Sequence, residues 1–265
     1  MPRLAVIGHP VSHSRSPAMQ NAALGALGLE DWTYRAIDAA PDAFEITARE
    51  LASVGYAGVN VTVPHKEAAL ALADEASEAS QQIGAANTLA FEGKRIEAHN
   101  TDADGLLSSL PDSPRGRRAL VLGAGGAARA AIWALLWEGA EVEVWNRTPE
   151  KAAALCAELG GAAITDPSQD AYELIVNTSA AGLRGEDPFE HLPLEPDLFA
   201  ESQTVVDMVY GERRSPLLEA AEAAGAAAVD GLEILVQQGA RSLEIWTGRQ
   251  PPIEIMRKAA RDFRR

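Results

Sequence analysis

The chain has 265 residues, long for one compact domain and comfortable for two, and 47% of it is hydrophobic, enough to bury a sizeable core. Lys and Arg total 23 against 38 Asp and Glu, and the net charge of −15 excludes the clustered basic surface that nucleic-acid phosphates or anionic lipid require. No window approaches the roughly 20 apolar residues of a membrane span, the N-terminal apolar run is too short for a signal peptide and a lone cysteine forms no internal disulfide, so a cytoplasmic protein is expected.

In chain order, residues 3–8 (RLAVIG) read as a strand, and Ser16-Pro17 as a helix start with proline near the first helical position. A strand is predicted at 32–37, a helix at 42–53 and a strand at 58–63 that Pro64 stops. A helical stretch from His65 to Ala73 follows, then strands at 86–91 and 95–99 joined by a turn at Gly93. The loop PDSPRG at 111–116 leads into an apolar strand at 118–122, a glycine turn running into a helix, a strand at 141–145 and a helix at 149–159. Further strands are read at 174–177 and 204–208, and helices at 231–247 and 252–263. Strand–helix alternation of this kind predicts α/β architecture: a mostly parallel sheet with helices on both faces, and some antiparallel pairing in the first region. Trp133 and Trp137, four apart, read as a packing pair, and Cys156 as a packing residue. No Cys-x-x-Cys or His-Glu-x-x-His spacing supports a metal site.

Gly123-Ala124-Gly125-Gly126-Ala127-Ala128 fits G-x-G-x-x-A directly after a strand and at the opening of a helix. The first glycine allows the tight turn, the second lets backbone approach a pyrophosphate, and the small residue after it lets helix pack on strand. The helix N-terminus adds N–H donors and partial positive charge. At the end of the next strand, an NAD site usually carries a carboxylate for the ribose hydroxyls. Here that place holds Asn146-Arg147-Thr148, with Lys151 one turn later. A guanidinium fork suits a 2′-phosphate, so NADP is predicted over NAD. Thr148 before Pro149 also reads as a helix N-cap, which is compatible with phosphate binding.

Polar residues cluster at the strand ends of the first half: Ser12 to Ser16, Asn60 and Thr62 on one strand face, Lys66, Asn87-Thr88, and Asn100-Thr101-Asp102. Strand ends are where open α/β sheets place ligands.

The motifs SHSRSP, VNVTVPHK, AANT, HNTDADG, GAGGAARA, NRT and GLEILVQQGA, in this order over nearly the whole chain, resemble those of the shikimate dehydrogenase family. The resemblance implies reversible NADP-dependent reduction of 3-dehydroshikimate to shikimate, on the route to chorismate and the aromatic amino acids. It implies a substrate-binding catalytic domain from 1–101 plus 236–265, a Rossmann-like NADP domain at 102–235, and a cleft between them. By motif match, Lys66 and Asp102 are expected as the catalytic pair. Ser14 and Ser16 are expected at the substrate carboxylate, and Thr62, Asn87 and Gln238 at the ring substituents with Asn60 beside them. Gly123, Gly125, Gly126 and Ala127 would cradle the pyrophosphate, and Asn146, Arg147, Thr148 and Lys151 the adenosine phosphate. Met208 and Gly231 are expected near the nicotinamide, and Tyr210 near the substrate. The family's Tyr-x-Pro-x-x-Thr-Pro-type stretch reads Tyr210-Gly211-Glu212-Arg213-Arg214-Ser215-Pro216 here, without the first proline and with serine for threonine. Thr178-Ser179 also varies the usual loop. A quinate/shikimate dehydrogenase with dual cofactor use and a non-catalytic NADP-binding sensor remain open readings, as does a homodimer.

Overall fold

The computed structural model describes residues 2–183, 185–211 and 213–263. It divides into two compact units, Met1–Gly105 with Leu235–Arg265, and Leu106–Ile234. The first unit contains β1 (Arg3–Gly8), α1 (Ser16–Ala26), β2 (Thr33–Asp38), α2 (Phe44–Ser53), β3 (Tyr56–Val61), α3 (Lys66–Leu72), β4 (Glu75–Ala76), α4 (Glu78–Ile83), β5 (Thr88–Glu92) and β6 (Arg95–His99). The chain leaves this unit within α5 (Asp102–Ser109).

The sheet order is β2-β1-β3-β5-β6-β4. β1 pairs in parallel with β2 and β3, whereas β3–β5 and β5–β6 are antiparallel. Strand alternation divides the core. Ala5, Ile7, Val59 and Val61 pack with Phe44, Ala48, Ala69 and Leu72 of α2 and α3, while Leu4 and Val6 pack with Met19 and Leu24 of α1. Full burial of each such Val, Leu or Ile contributes about 1.5–3 kcal/mol. The predicted strand at 58–63 ends two residues early. Thr62 still donates its N–H to Ile7 O at 2.9 Å, but Pro64 has no N–H to continue the ladder and Val63 O turns to accept from His9 N at 3.0 Å.

The second unit contains β7 (Arg118–Leu122), α6 (Gly126–Trp137), β8 (Glu141–Trp145), α7 (Pro149–Leu159), β9 (Ala162–Ala163), β10 (Leu174–Asn177), β11 (Thr204–Asp207), α8 (Pro216–Ala223) and β12 (Ala227–Asp230). Its sheet is parallel in the order β12-β11-β10-β7-β8-β9. Ala119 and Val121 meet Ile132, Leu135 and Leu155 on one face, and Leu120 and Leu122 meet Phe199, Leu217 and Leu218 on the other. Trp133 and Trp137 stack at 5.3 Å on α6. The chain returns to the first unit within α9 (Gly231–Thr247) and ends with α10 (Ile253–Asp262), both of which add side chains to the Leu4–Val6 core.

The observed divisions, between Gly105 and Leu106 and between Ile234 and Leu235, differ from the expected 101/102 and 235/236. Asp102 therefore lies in the first unit with Lys66, because Asn100, Thr101 and Asp102 are bonded to Ala85 and Asn87 of that unit. Among the described residues no helix is long and apolar enough to cross a membrane.

Candidate functional site

Pairing places the polar strand ends of the first unit together. Asn60 lies opposite Thr88, and Thr88 opposite His99, so the ends of β3 and β6 and the start of β5 lie at one edge. β1 ends beside β3 there, which brings the segment through Ser14 and Ser16 to the same side. Lys66 opens α3 and Asp102 opens α5. Asn100 fixes the start of α5: its Oδ1 accepts from the N–H groups of Asp102 and Ala103 at 3.1 and 3.4 Å, and its Nδ2 donates to Ala85 O at 2.9 Å. Asp102 thus carries its charge at a helix N-terminus, where the partial positive charge favours it. Lys66 Nζ donates to Asp102 Oδ2 at 2.6 Å, with side chains only 13% and 9% exposed.

Around this ion pair, each amide orientation is fixed by a partner of obligate polarity. Asn87 Oδ1 accepts from Thr101 N at 2.7 Å, so Nδ2 faces Asp102 Oδ1 at 2.9 Å and Gln238 Oε1 at 3.1 Å. Gln238 Nε2 donates to the Leu235 carbonyl at 2.8 Å, which turns its Oε1 towards Asn87. Asn60 Nδ2 faces the Asn87 carbonyl at 3.2 Å, which can only accept, so Tyr34 Oη donates to Asn60 Oδ1 at 2.7 Å. The protein thus satisfies the buried Asn60 amide at both ends, so its part is to hold the network. Among the described residues, unused polar capacity remains on the other two Lys66 N–H bonds, the second Gln238 Nε2 proton and the Asp102 lone pairs. Such a set suits a small ligand rich in hydroxyl and carbonyl oxygen.

Ser14 Oγ accepts from Ser16 N at 3.2 Å, and the Ser16 hydroxyl makes no bond among the described residues. Thr62 turns its methyl towards Gly8. Thr88 and Thr101, which belong to the polar strand-end clusters of the sequence, join the network, as do Tyr34 and Ser242, to which no sequence motif points. Ser242 carried one usable signal: it stands one helical turn after Gln238, on the same face of α9.

In the second unit, Gly123 has φ +120°, and a Cβ there would stand 2.6 Å from Thr178 Oγ1 and 3.1 Å from Ser179 N. The turn therefore requires glycine, and the loop after β10 packs directly on it. At Gly125 a Cβ would meet nothing within 4 Å, and α6 starts there without a side-chain cap. Open space before uncapped N–H groups fits a pyrophosphate approaching Gly125, Gly126 and Ala127. Asn146 Nδ2 donates to Thr148 O at 2.9 Å and shapes the loop after β8. Thr148 occupies the N-cap position of α7, but its side chain makes no capping bond. Arg147, Thr148 and Lys151 are exposed, and no ion pair neutralises Arg147 or Lys151 among the described residues. The residues present therefore fit a dinucleotide bearing an additional phosphate.

Asp207 ends β11, buried, with Oδ1 accepting from Asn177 Nδ2 at 2.9 Å and Val209 N at 3.1 Å. Burial pushes its carboxyl above the usual carboxylate value, against its hydrogen bonds and the Arg214 charge. Ser215, which replaces the expected threonine, donates its hydroxyl to Asp207 Oδ2 instead of capping α8. Arg214 pairs with Asp230 at 3.1 Å and with Glu222. The departure from the family stretch is thus tied down at both sheet strands, although Glu212 lies outside the described residues. Met208 and Gly231 are brought together: a Cβ on Gly231 would stand 2.5 Å from Met208 O, so only glycine lets α9 begin this close. Tyr210 lies in the loop between β11 and α8.

Family models match along the chain: shikimate dehydrogenase substrate binding domain at residues 6–89, shikimate/quinate 5-dehydrogenase at 106–180, and shikimate 5′-dehydrogenase C-terminal domain at 231–261. The shikimate dehydrogenase (NADP(+)) of Thermus thermophilus is 44% identical over 263 residues, covering 98% of each chain. That of Methanopyrus kandleri is 42% identical over 276 residues, 97% of this chain and 93% of its own. The crystal structure of the Thermus thermophilus enzyme in complex with NADP(H) and shikimate matches with a TM-score of 0.90 at 42% identity, over 98% of this chain and 99% of that one. The chain belongs to the shikimate dehydrogenase family of NADP-dependent oxidoreductases.

Proposed function

We propose that the chain catalyses the reversible NADP-dependent reduction of 3-dehydroshikimate to shikimate through Lys66 and Asp102. The single observation that carries the residue assignment is the Lys66–Asp102 ion pair, held by Asn87 at the strand ends of the first unit. NADPH, when bound, supplies the hydride. Lys66 Nζ gives a proton to the carbonyl oxygen as negative charge develops there, and takes it back in the reverse direction. Asp102 keeps the ammonium aimed at that oxygen and accepts from a ring hydroxyl. Gln238 offers its spare N–H to a second hydroxyl, and Asn87 locks both residues in orientation. Ser14 and Ser16 hold the substrate carboxylate through their hydroxyls, with Thr62 and Tyr210 as further ring contacts. The glycine turn Gly123–Ala127 receives the pyrophosphate, while Arg147, Thr148 and Lys151, on the loop set by Asn146, receive the 2′-phosphate. Met208 and Gly231 form the backbone surface for the nicotinamide.

The test is NADPH formation by purified protein with shikimate or quinate, each offered NADP and NAD. Robust turnover is expected for shikimate with NADP, and Lys66→Ala should lower kcat by about 10²–10⁴-fold with little change in shikimate KM. Faster turnover of quinate or NAD would overturn the substrate or cofactor assignment. A near-normal kcat in the variant would remove Lys66 from the proton step.

A further inference from the structure

We propose that Tyr34 and Ser242 are positioning residues for substrate binding, acting together through Asn60 on the amides of Asn87 and Gln238. The proposal rests on the functional reading above. Ser242 is fully buried, and its hydroxyl is a junction. It donates to the Gln238 carbonyl at 3.0 Å, an obligate acceptor, so its lone pairs are left to receive protons. Asn60 Nδ2 supplies one at 2.9 Å, and the hydroxyls of Thr88 and Thr101 stand at 2.8 and 3.1 Å. Tyr34, on β2, completes the polarity at the far end by donating to Asn60 Oδ1.

The consequence reaches the ligand side through Thr101. Its hydroxyl lies within reach of Ser242 Oγ, of Asn87 Oδ1 at 3.2 Å and of Gln238 Oε1 at 3.4 Å. With Ser242 in place, the Thr101 proton has an acceptor outside the two amides. Without it, that proton turns onto Asn87 or Gln238 and competes for the oxygens that set their orientation. Removing the Tyr34 hydroxyl acts one step earlier. It leaves the buried Asn60 oxygen without this donor, and the amide can no longer present Nδ2 to Ser242 at low cost. Neither residue is needed to touch the substrate.

Tyr34→Phe and Ser242→Ala each delete one oxygen and keep the packing shape. Each should raise shikimate KM about fivefold, equivalent to about 1 kcal/mol at about 1.4 kcal/mol per tenfold. The NADP KM should stay within about twofold and kcat should fall less than KM rises. Because both act on one path, the double variant should show no greater shikimate KM than the larger single effect. A purely structural role predicts a lower Tm with shikimate KM unmoved, or both KM values rising together; either result overturns the proposal, as does additivity in the double variant. If Ser242→Ala does not fold, Tyr34→Phe alone decides by the same KM comparison. A wild type inactive on shikimate refutes the functional reading, and this inference with it. An active wild type beside variants of unchanged shikimate KM refutes the inference alone.

Discussion

Replacing Asp102 by asparagine keeps the side-chain shape and removes one charge, and the surrounding network cannot absorb the change. Lys66 Nζ can only donate, and Asn87 Nδ2 is held towards residue 102 because the Thr101 N–H occupies Asn87 Oδ1 at 2.7 Å. The new amide has one oxygen for two donors, so whichever way it turns, its NH2 meets either an ammonium or a second NH2. One charge-assisted bond is lost, about 1.5–3 kcal/mol, and an ammonium only 13% exposed is left unpaired. Breaking a fully buried pair costs about 3–5 kcal/mol; for a pair that still reaches solvent, about 3 kcal/mol is expected. At roughly 2–4 °C per kcal/mol for a chain of this size, Tm should fall by about 6–12 °C. Turnover, followed through NADPH absorbance, should fall by about 10²–10⁴-fold. Adding Lys66→Met should restore most of the Tm, since two apolar or neutral groups no longer oppose each other, and should leave kcat low. Thermal unfolding by circular dichroism and steady-state kinetics on the parent, the single variant and the double variant decide the matter. A single Asp102→Asn variant with Tm within about 2 °C and kcat within about tenfold of the parent would refute the reasoning.

Arg147→Ala should raise NADP KM about tenfold while leaving NAD and shikimate KM unchanged, because the contact proposed for Arg147 is with the 2′-phosphate alone; an unchanged NADP/NAD preference would remove Arg147 from that role. Gly123→Ala forces a Cβ into Thr178 Oγ1 at 2.6 Å on a backbone with φ +120°, so a loss of about 1–3 kcal/mol and a raised NADP KM are expected from denaturant unfolding and kinetics. Burial holds the His65 imidazole below its ordinary value of 6.5, outweighing its bond to the Ala39 carbonyl. A histidine whose folded pKa is lowered stabilises above its unfolded pKa. That contribution is lost as pH falls from about 6.5 through the folded value, by at most about 1.4 kcal/mol per pH unit. Tm should therefore drop on acidification between pH about 7 and about 5, and drop less in His65→Gln; equal slopes would show that another group carries the effect.

Elements with strong local signals were legible as written: the strands at 118–122, 141–145 and 174–177 and the helices at 149–159 and 231–247 have the same bounds in the structure. Those that depend on context were not. β12 is Ala227-Ala228-Val229-Asp230, a poor strand former that becomes a strand by pairing with β11. α4 is short and rests on the Ser77 cap and a left-handed Gly84 at its end. α5 was hidden because its first residue, Asp102, reads as chemistry before it reads as a helix start. In the site, the types of residue at the strand ends were readable one by one. Their mutual polarity was not, since a hydroxyl such as that of Tyr34 or Ser242 looks like any other interior hydroxyl until its partners are known.

The discontinuity of the first unit has a consequence for the order in which the molecule can be assembled. Arg15 bonds the Ala260 carbonyl, Gln20 the Gly239 carbonyl and Asn60 the Ser242 hydroxyl across separations of 245, 219 and 182 residues. The second unit is continuous in sequence and its sheet can form while the chain is still emerging from the ribosome. The first must wait with Asn60, Asn87 and Thr88 lacking their α9 partners, and with the Leu4–Val6 face covered by α1 alone, until α9 and α10 arrive. Closing loops of this length makes its folding slow and exposes it to misassembly. The residues that would bind shikimate thus acquire their final orientation last, so a nascent chain halted before α9 carries Lys66 and Asp102 without the side chain of Gln238 that completes their surroundings.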